Sequence, residues 1–409
     1  MPSAPDSRNR RAGLPMRWPL LITLIVLLGL LIASCGSNDG LNDDDGLDAK
    51  PPAATAPPEK SGDPVVIDTT GEAFNAARIY RDAVPGVISV RSIFSGSNSP
   101  FGVQVAGGSG FVLNDDGELI TNAHVISDGE GENRTPAKEV YVEFYDGNVL
   151  PAEILGFDPF ADVALLKVDP NEFDLKPLEL ADSDNVVVGQ PIAVIGSPFG
   201  EDHSLSTGVV SQTNRSVRSL TDFQIEGAIQ TDASINPGSS GGPMLDGQGR
   251  VIGISQQIKG GSGASDGVGF GVPSNAIEYS SKQLEEDGEA NYAYIGVSTQ
   301  PLYPQLAEKL GIEADSGALV AKVIPDGPAD DAGIKGSDDR ISFQGSVFDT
   351  GGDVIVSING ERIEKAEDLG RIVGGLEPGE TVDLGVVRDD REVNVKVDLE
   401  ERPTAITAP

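Results

Sequence analysis

The stretch NPGSSGGP, Asn236 to Pro243, sets Ser239 and Ser240 between one glycine and a pair of glycines. Glycine in such numbers is entropically costly and marks a tight turn or a close backbone approach. A plain surface turn does not need a hydroxyl held among three of them. A serine hydroxyl is a weak nucleophile until a neighbouring base takes its proton. The chain holds two histidines, His124 and His203, and the base is most simply one of these. His124 follows the apolar run of LITNAHVIS, at the end of an expected strand. His203 lies in the polar stretch FGEDHSLS, which suits a structural or surface residue. A base needs a third group to hold its tautomer and stabilise the imidazolium. Asp162, at the mouth of the apolar run DVALLKV, is the best-placed carboxylate, because an acid entering a core strand is costly unless it is hydrogen-bonded or paired. Asp158, in the turn before that run, and Asp232, in IQTDAS, compete for the role. A zinc site would want three or four His, Cys or acid ligands. Two histidines and a single distal cysteine do not readily supply them, so neither metal nor cofactor is expected.

The elements that would position these residues are short, β-branched and punctuated by glycine. Between about 70 and 285 they include GVISVRS, GSGFVL, ELITNAHV, VYVEFY, DVALLKV, PIAVIGS, STGVVSQ, VIGISQQI and GVGFGVP. Turn signals such as NDDG, YDGN and LDGQG separate several of them. Regular short strands with little helical periodicity predict an all-β sandwich or a pair of barrels. EAFNAARIYRDAV before this block and SNAIEYSSKQLEEDG after it read as helices. From about 290 to 402 strands and helices mix, which suits one small α+β domain.

The 409 residues carry a formal charge of -35 with pI near 4.2. Nucleic-acid binding is excluded on that balance, since phosphates need basic patches. Arg8, Arg10, Arg11 and Arg17 precede the uncharged apolar run Trp18 to Ala33, sixteen residues long. That length lies between a signal-peptide core and a full membrane span. The positive flank places this end in the cytoplasm and everything after it outside. Cys35, the only cysteine, closes IASC, which resembles a bacterial lipobox. Residues 1–35 are therefore a signal or membrane anchor, either uncleaved or processed to a lipidated Cys35. Residues 36–68 are acidic and proline-rich with almost no large apolar residues, the composition of a disordered tether.

TNAHV, DVALLKV and NPGSSGGP occur in the order His, Asp, Ser, the chymotrypsin-like order. Their wording resembles the HtrA (Deg) family of serine proteases, as do GSGFVL before the histidine and IGSPFG and TGVVS after the aspartate. The resemblance covers about residues 70 to 400 and ends in a PDZ-like module. It implies a chymotrypsin-like double β-barrel over 69–288 and an α+β PDZ domain over 290–402. It makes His124 the base, Asp162 its orienting acid and Ser240, immediately before Gly241, Gly242 and Pro243, the nucleophile. Backbone N–H groups of Gly238, Ser239 and Ser240 would form the oxyanion hole. Tyr294, Ile295, Gly296 and Val297 fit the loop that holds a peptide's C-terminal carboxylate while the peptide adds as a strand. Residues 337–350 depart from the family pattern and look like an extra hairpin. The short loop at 94–106 favours a homotrimer over a large cage, with Phe74 and Tyr80 as candidate contacts. The implied function is a membrane-tethered extracytoplasmic serine endoprotease. It would cleave unfolded proteins after small or medium apolar residues and bind C-terminal peptides through the PDZ domain. The alternative is a chaperone or peptide-binding protein with a silent protease fold. An α/β-hydrolase esterase is disfavoured, because its order is Ser, acid, His.

Overall fold

The computed structural model describes residues 74–95, 103–129, 131–197, 203–256, 267–389 and 391–405. The expected anchor, Cys35 and the tether lie outside the described residues. The chain opens with α1 (Ala76–Ala83), whose Asn75 side chain accepts from the Arg78 N–H and so caps a free helix-end donor. Its buried positions, Ile79 and Ala83, are four apart and share one helix face.

Six strands then close a first barrel in the order β1 (Val87–Ser95), β2 (Val103–Val112), β3 (Glu118–Thr121), β8 (Val163–Lys167), β7 (Val149–Asp158) and β6 (Glu139–Phe144), with β6 returning to β1. Burial alternates along β6, as a strand with one inward face requires. A ribbon of β4 (Ser127–Asp128) and β5 (Thr135–Pro136) branches off behind α2 (Ala123–Ile126). The second barrel runs β10 (Ser204–Arg218), β11 (Gln224–Thr231), β14 (Gly269–Pro273), β13 (Val251–Gln256), β12 (Pro243–Leu245), β9 (Pro191–Gly196) and back to β10. Each barrel has its own apolar interior, and a larger cluster fills the space between them. α3 (Ser274–Glu286) buries Ile277, Ser280, Ser281 and Leu284, a helical face.

The C-terminal domain has its own core. Its sheet orders β16 (Val297–Leu302), β17 (Gly317–Val323), β20 (Val354–Ile358), β22 (Thr381–Arg388) and β23 (Arg391–Asp398), with β21 (Glu361–Arg362) paired to β20. Helices α4 (Pro304–Leu310), α5 (Pro328–Asp331) and α6 (Ala366–Gly374) accompany it. Residues 337–350 form the hairpin of β18 (Asp339–Phe343) and β19 (Ser346–Thr350). The domain's entry strand β15 (Ala293–Tyr294) pairs with its exit strand β24 (Glu400–Glu401), so both chain ends lie side by side. The fold is thus mainly β, two closed barrels followed by an α+β domain.

Candidate active site

Asp162 sits in the turn joining β7 to β8 and is fully buried. Its φ of +58° is left-handed, a conformation that aspartate tolerates better than most side chains. Its carboxylate meets three donors. His124 Nδ1 lies 2.8 Å from Oδ2, the His124 backbone N–H reaches Oδ1 at 2.9 Å, and Gln256 Nε2 donates to Oδ2 at 2.9 Å. The Asn122 side chain donates to the Asp162 carbonyl at 2.8 Å, so the α2 segment grips the acid by backbone and side chain together. His124 was expected at a strand end. Instead β3 stops at Thr121 and His124 lies in the one-turn helix α2, its side chain 32% exposed. The imidazole is therefore anchored through Nδ1, and such an anchor fixes the ring's orientation and tautomer.

The competing acids are engaged elsewhere. Asp158 is buried at the end of β7, and Asp232 accepts the Val209 N–H at 2.7 Å. His203 is held structurally: its Nε2 lies 3.0 Å from the Val87 carbonyl, and its own carbonyl accepts from the Tyr80 hydroxyl. Phe74 and Tyr80 pack against the core between the barrels.

The serine turn begins with Asn236–Ser239, closed by the Ser239 N–H donating to the Asn236 carbonyl at 2.9 Å. Pro237 in second place and Gly238 in third at φ +95° are the pattern of a type II turn. Ser239, expected among the oxyanion donors, thus has its N–H committed to this turn. Among the described residues the N–H groups of Gly238 and Ser240 donate to no other group. The turn is bolted to the first barrel by Ser109 of β2. Its N–H donates to the Ser240 carbonyl at 2.7 Å, its hydroxyl donates to the Gly238 carbonyl at 2.7 Å, and that hydroxyl accepts the Ser197 N–H at 2.9 Å. Thr121, three residues before His124, donates to the Ser109 carbonyl at 2.6 Å.

Glycine is needed where these parts meet. A Cβ on Gly241, at φ +87°, would come within 2.1 Å of the Ser109 carbonyl oxygen and 2.5 Å of the Thr121 hydroxyl. One on Gly108 would strike Val125 at 2.6 Å and stand 3.1 Å from the Ser240 carbonyl. The serine turn therefore lies directly against the segment that carries His124. Gln256 and Ser109 escaped the reading of the sequence as functional residues. GSGFVL was singled out, but only as wording; the use of its serine as an inter-barrel bolt depends on contacts up to 129 residues away.

In the C-terminal domain, Gly296 of the Tyr294–Val297 loop has φ +79°, and the Ile295 and Gly296 carbonyls accept from Ala329 and Ile324. Among the described residues β16, which begins at Val297, pairs on one side only, with β17. Among the described residues no helix is long and apolar enough to cross a membrane.

Residues 108–254 match the trypsin-like peptidase domain, and residues 293–399 match the PDZ domain. A probable periplasmic serine endoprotease, DegP-like, of Ectopseudomonas mendocina (strain ymp) is 40% identical over 296 residues, 72% of this chain and 56% of that relative. Protease Do-like 1, chloroplastic, of Arabidopsis thaliana is 36% identical over 331 residues, 80% of this chain and 72% of its own length. Among solved structures, the HtrA-type protease AlgW with tripeptide superposes with a TM-score of 0.66 at 30% identity, covering 80% of this chain and 98% of that one. The chain spans only a little over half the length of the DegP-like relatives it matches. With two barrels, a PDZ domain in sequence after them and these likenesses over most of its length, the chain belongs to the HtrA, or DegP-like, family of serine endoproteases.

Proposed function

We propose that the chain is an extracytoplasmic serine endoprotease in which His124, Asp162 and Ser240 form a catalytic triad. The observation that carries this reading is the hydrogen bond from His124 Nδ1 to a buried, three-fold donated Asp162, beside a serine turn locked against the same segment. With Nδ1 held as the donor, Nε2 is left as the lone-pair nitrogen. Ser240 Oγ attacks the scissile carbonyl carbon while Nε2 takes its proton, forming a C–O bond and moving the carbonyl π pair onto oxygen. The Gly238 and Ser240 N–H groups face that oxyanion. Collapse expels the amine, which leaves with the proton from Nε2. Water then enters by the same steps in reverse and releases the acid product and free Ser240.

The arginine-flanked apolar run before Cys35 supports export, with tethering by an uncleaved anchor or by a lipid on Cys35. Substrates are unfolded or damaged proteins, whose apolar cleavage sites a folded core would hide. The Tyr294–Val297 loop and the edge of β16, unpaired among the described residues, suit capture of a peptide C-terminus by strand addition. The assembly is a homotrimer.

Fluorophosphonate labelling and casein cleavage, compared between wild type and Ser240→Ala, test this reading. Wild type is expected to label and to cleave, and the variant to lose the label and to cleave slower by a factor on the order of 10⁶. Absence of label on wild type, with unfolded protein and C-terminal peptides both added, would replace this reading with a peptide-binding chaperone.

A further inference from the structure

The turn that carries Asp162 is not held by the barrels alone. Asp158, the last residue of β7, folds its Oδ1 back over the turn, where it accepts the Phe160 N–H at 2.8 Å and the Ala161 N–H at 3.1 Å. These two bonds shape the chain immediately before the left-handed Asp162. The other oxygen, Oδ2, accepts the Ser280 hydroxyl of α3 at 2.6 Å and the Tyr292 hydroxyl at 2.5 Å. Tyr292 is the last residue before the PDZ domain's entry strand β15.

Arg402, just past the domain's exit strand β24, closes the same place from the other side. Its guanidinium lies over the rings of Tyr292, Phe223 and Phe160, at 5.1, 5.2 and 5.7 Å from their centroids. Its backbone N–H donates to the Tyr292 carbonyl at 2.8 Å and its Nη2 reaches the Ala293 carbonyl at 3.3 Å. Phe160 packs edge-on to both Tyr292 and Phe223. A cation so placed recovers from the ring faces part of what it loses in hydration.

Burial raises the Asp158 carboxyl and Tyr292 hydroxyl affinities for protons and lowers that of Arg402. A buried carboxylate short of donors is unfavourable, and withdrawing Tyr292 removes one of the four that Asp158 has. Because Tyr292 and Arg402 are bonded to each other at the stem of the PDZ domain, they dock or leave together.

On the triad reading above, we infer that Tyr292 and Arg402 are positioning residues for Asp162. The seated stem of the PDZ domain holds Asp158, Asp158 shapes the turn, and the turn sets Asp162 against His124.

The test uses the full chain with Tyr292→Phe, which deletes only the hydroxyl, with Arg402→Met, which keeps the length of the stem but not the charge, and with Arg402→Lys as the conservative rescue. Two readouts are taken. Amide hydrogen exchange at Phe160 and Ala161 is expected to rise about tenfold in the first two variants, the equivalent of one lost hydrogen bond, while exchange in β1 and β2 stays unchanged. Ser240 labelling and kcat on a short peptide substrate are expected to fall tenfold to a hundredfold, the order of effect of a 1 Å misplacement, with KM unchanged and partial recovery in Arg402→Lys. Unchanged exchange at Phe160 and Ala161 overturns the inference whatever the wild-type activity. So does raised exchange with labelling within twofold of wild type, which would make the clamp structural only. A wild type that never labels instead overturns the triad reading, while the exchange still decides whether the stem holds the turn.

Discussion

Gly241 and Gly249 share a positive φ, +87° and +85°, and differ in what surrounds them. No heavy atom lies within 4 Å of a Cβ built on Gly249, whereas one on Gly241 meets the Ser109 carbonyl at 2.1 Å, the Thr121 hydroxyl at 2.5 Å and the Asn122 N at 3.1 Å. Alanine in place of either glycine incurs the left-handed penalty of roughly 1–2 kcal/mol, offset by about 0.4–1 kcal/mol of lost freedom in the unfolded chain. Gly249→Ala should therefore cost about 1 kcal/mol or less. Gly241→Ala must in addition push the serine turn away from Ser109 by more than 1 Å, an overpacking cost of about 1–3 kcal/mol. That displacement also breaks the Ser109 N–H bond to the Ser240 carbonyl, worth about another 1 kcal/mol. The difference between the variants is then about 3 kcal/mol, or roughly 6–12 °C in midpoint for a unit of barrel-pair size. Calorimetry of both variants, with Ser240 labelling measured on the same samples at 20 °C, checks this. Gly241→Ala should lose labelling even where it remains folded. Equal midpoints for the two variants, within 2 °C, would refute the claim that the serine turn is pinned against β2 and β3.

Gln256→Leu removes an amide donor from Asp162 while keeping volume, and the Ser240 labelling rate should fall roughly tenfold; an unchanged rate would show that two donors from His124 suffice. Glu226 has its carboxyl raised by burial, with the Ser216 hydroxyl bond only partly opposing. A folded-state value above the unfolded one means that wild type gains stability as pH falls through the folded value, and that the gain is complete below the unfolded one. Glu226→Gln should thus be the more stable protein at pH 7.5, with the gap closing toward pH 4, and thermal melts across that range would refute this by showing a constant gap. Asp353 accepts the Lys335 N–H and both Nε and Nη2 of Arg388, and the Arg388 side chain is 24% exposed. Asp353→Ala should destabilise the PDZ domain by about 3 kcal/mol, the low end for breaking a buried pair, seen as an earlier first transition in calorimetry.

The strands were legible because their apolar residues are β-branched and bounded by glycine, and the helices flanking the barrels, α1 and α3, because their apolar residues repeat at three and four. α2 was not: four residues carry no period, and the run LITNAHVIS continues its apolar pattern straight through the point where β3 ends. The left-handed backbone at Asp162 was equally silent, since the usual marker, glycine, is absent there. Gln256 and Tyr292 reach their partners across 94 and 134 residues. Nothing local in SQQI or NYAY distinguishes an amide aimed at a carboxylate from one in water. That the Ser239 N–H closes the turn onto Asn236 was not legible either, because glycine content announces a sharp turn but not which N–H closes it.

The two barrels are built from consecutive, non-interleaved stretches of chain, and that order has a bearing on biogenesis. His124 and Asp162 belong to the barrel that ends at Lys167, while Ser240 and Gln256 belong to the barrel that ends at Pro273. As domains form from the N-terminus during synthesis and export, the first barrel can close while the second is still an unfolded thread. On the triad reading, the nascent chain then holds the proposed base and its acid with no nucleophile to activate. Only when β12, β13 and β14 have closed against β9 does the serine turn dock on Ser109. On the triad reading, a chain halted anywhere before that point is harmless to its neighbours and to its own unfolded remainder. On the same reading, the ability to cut waits for the second barrel to close.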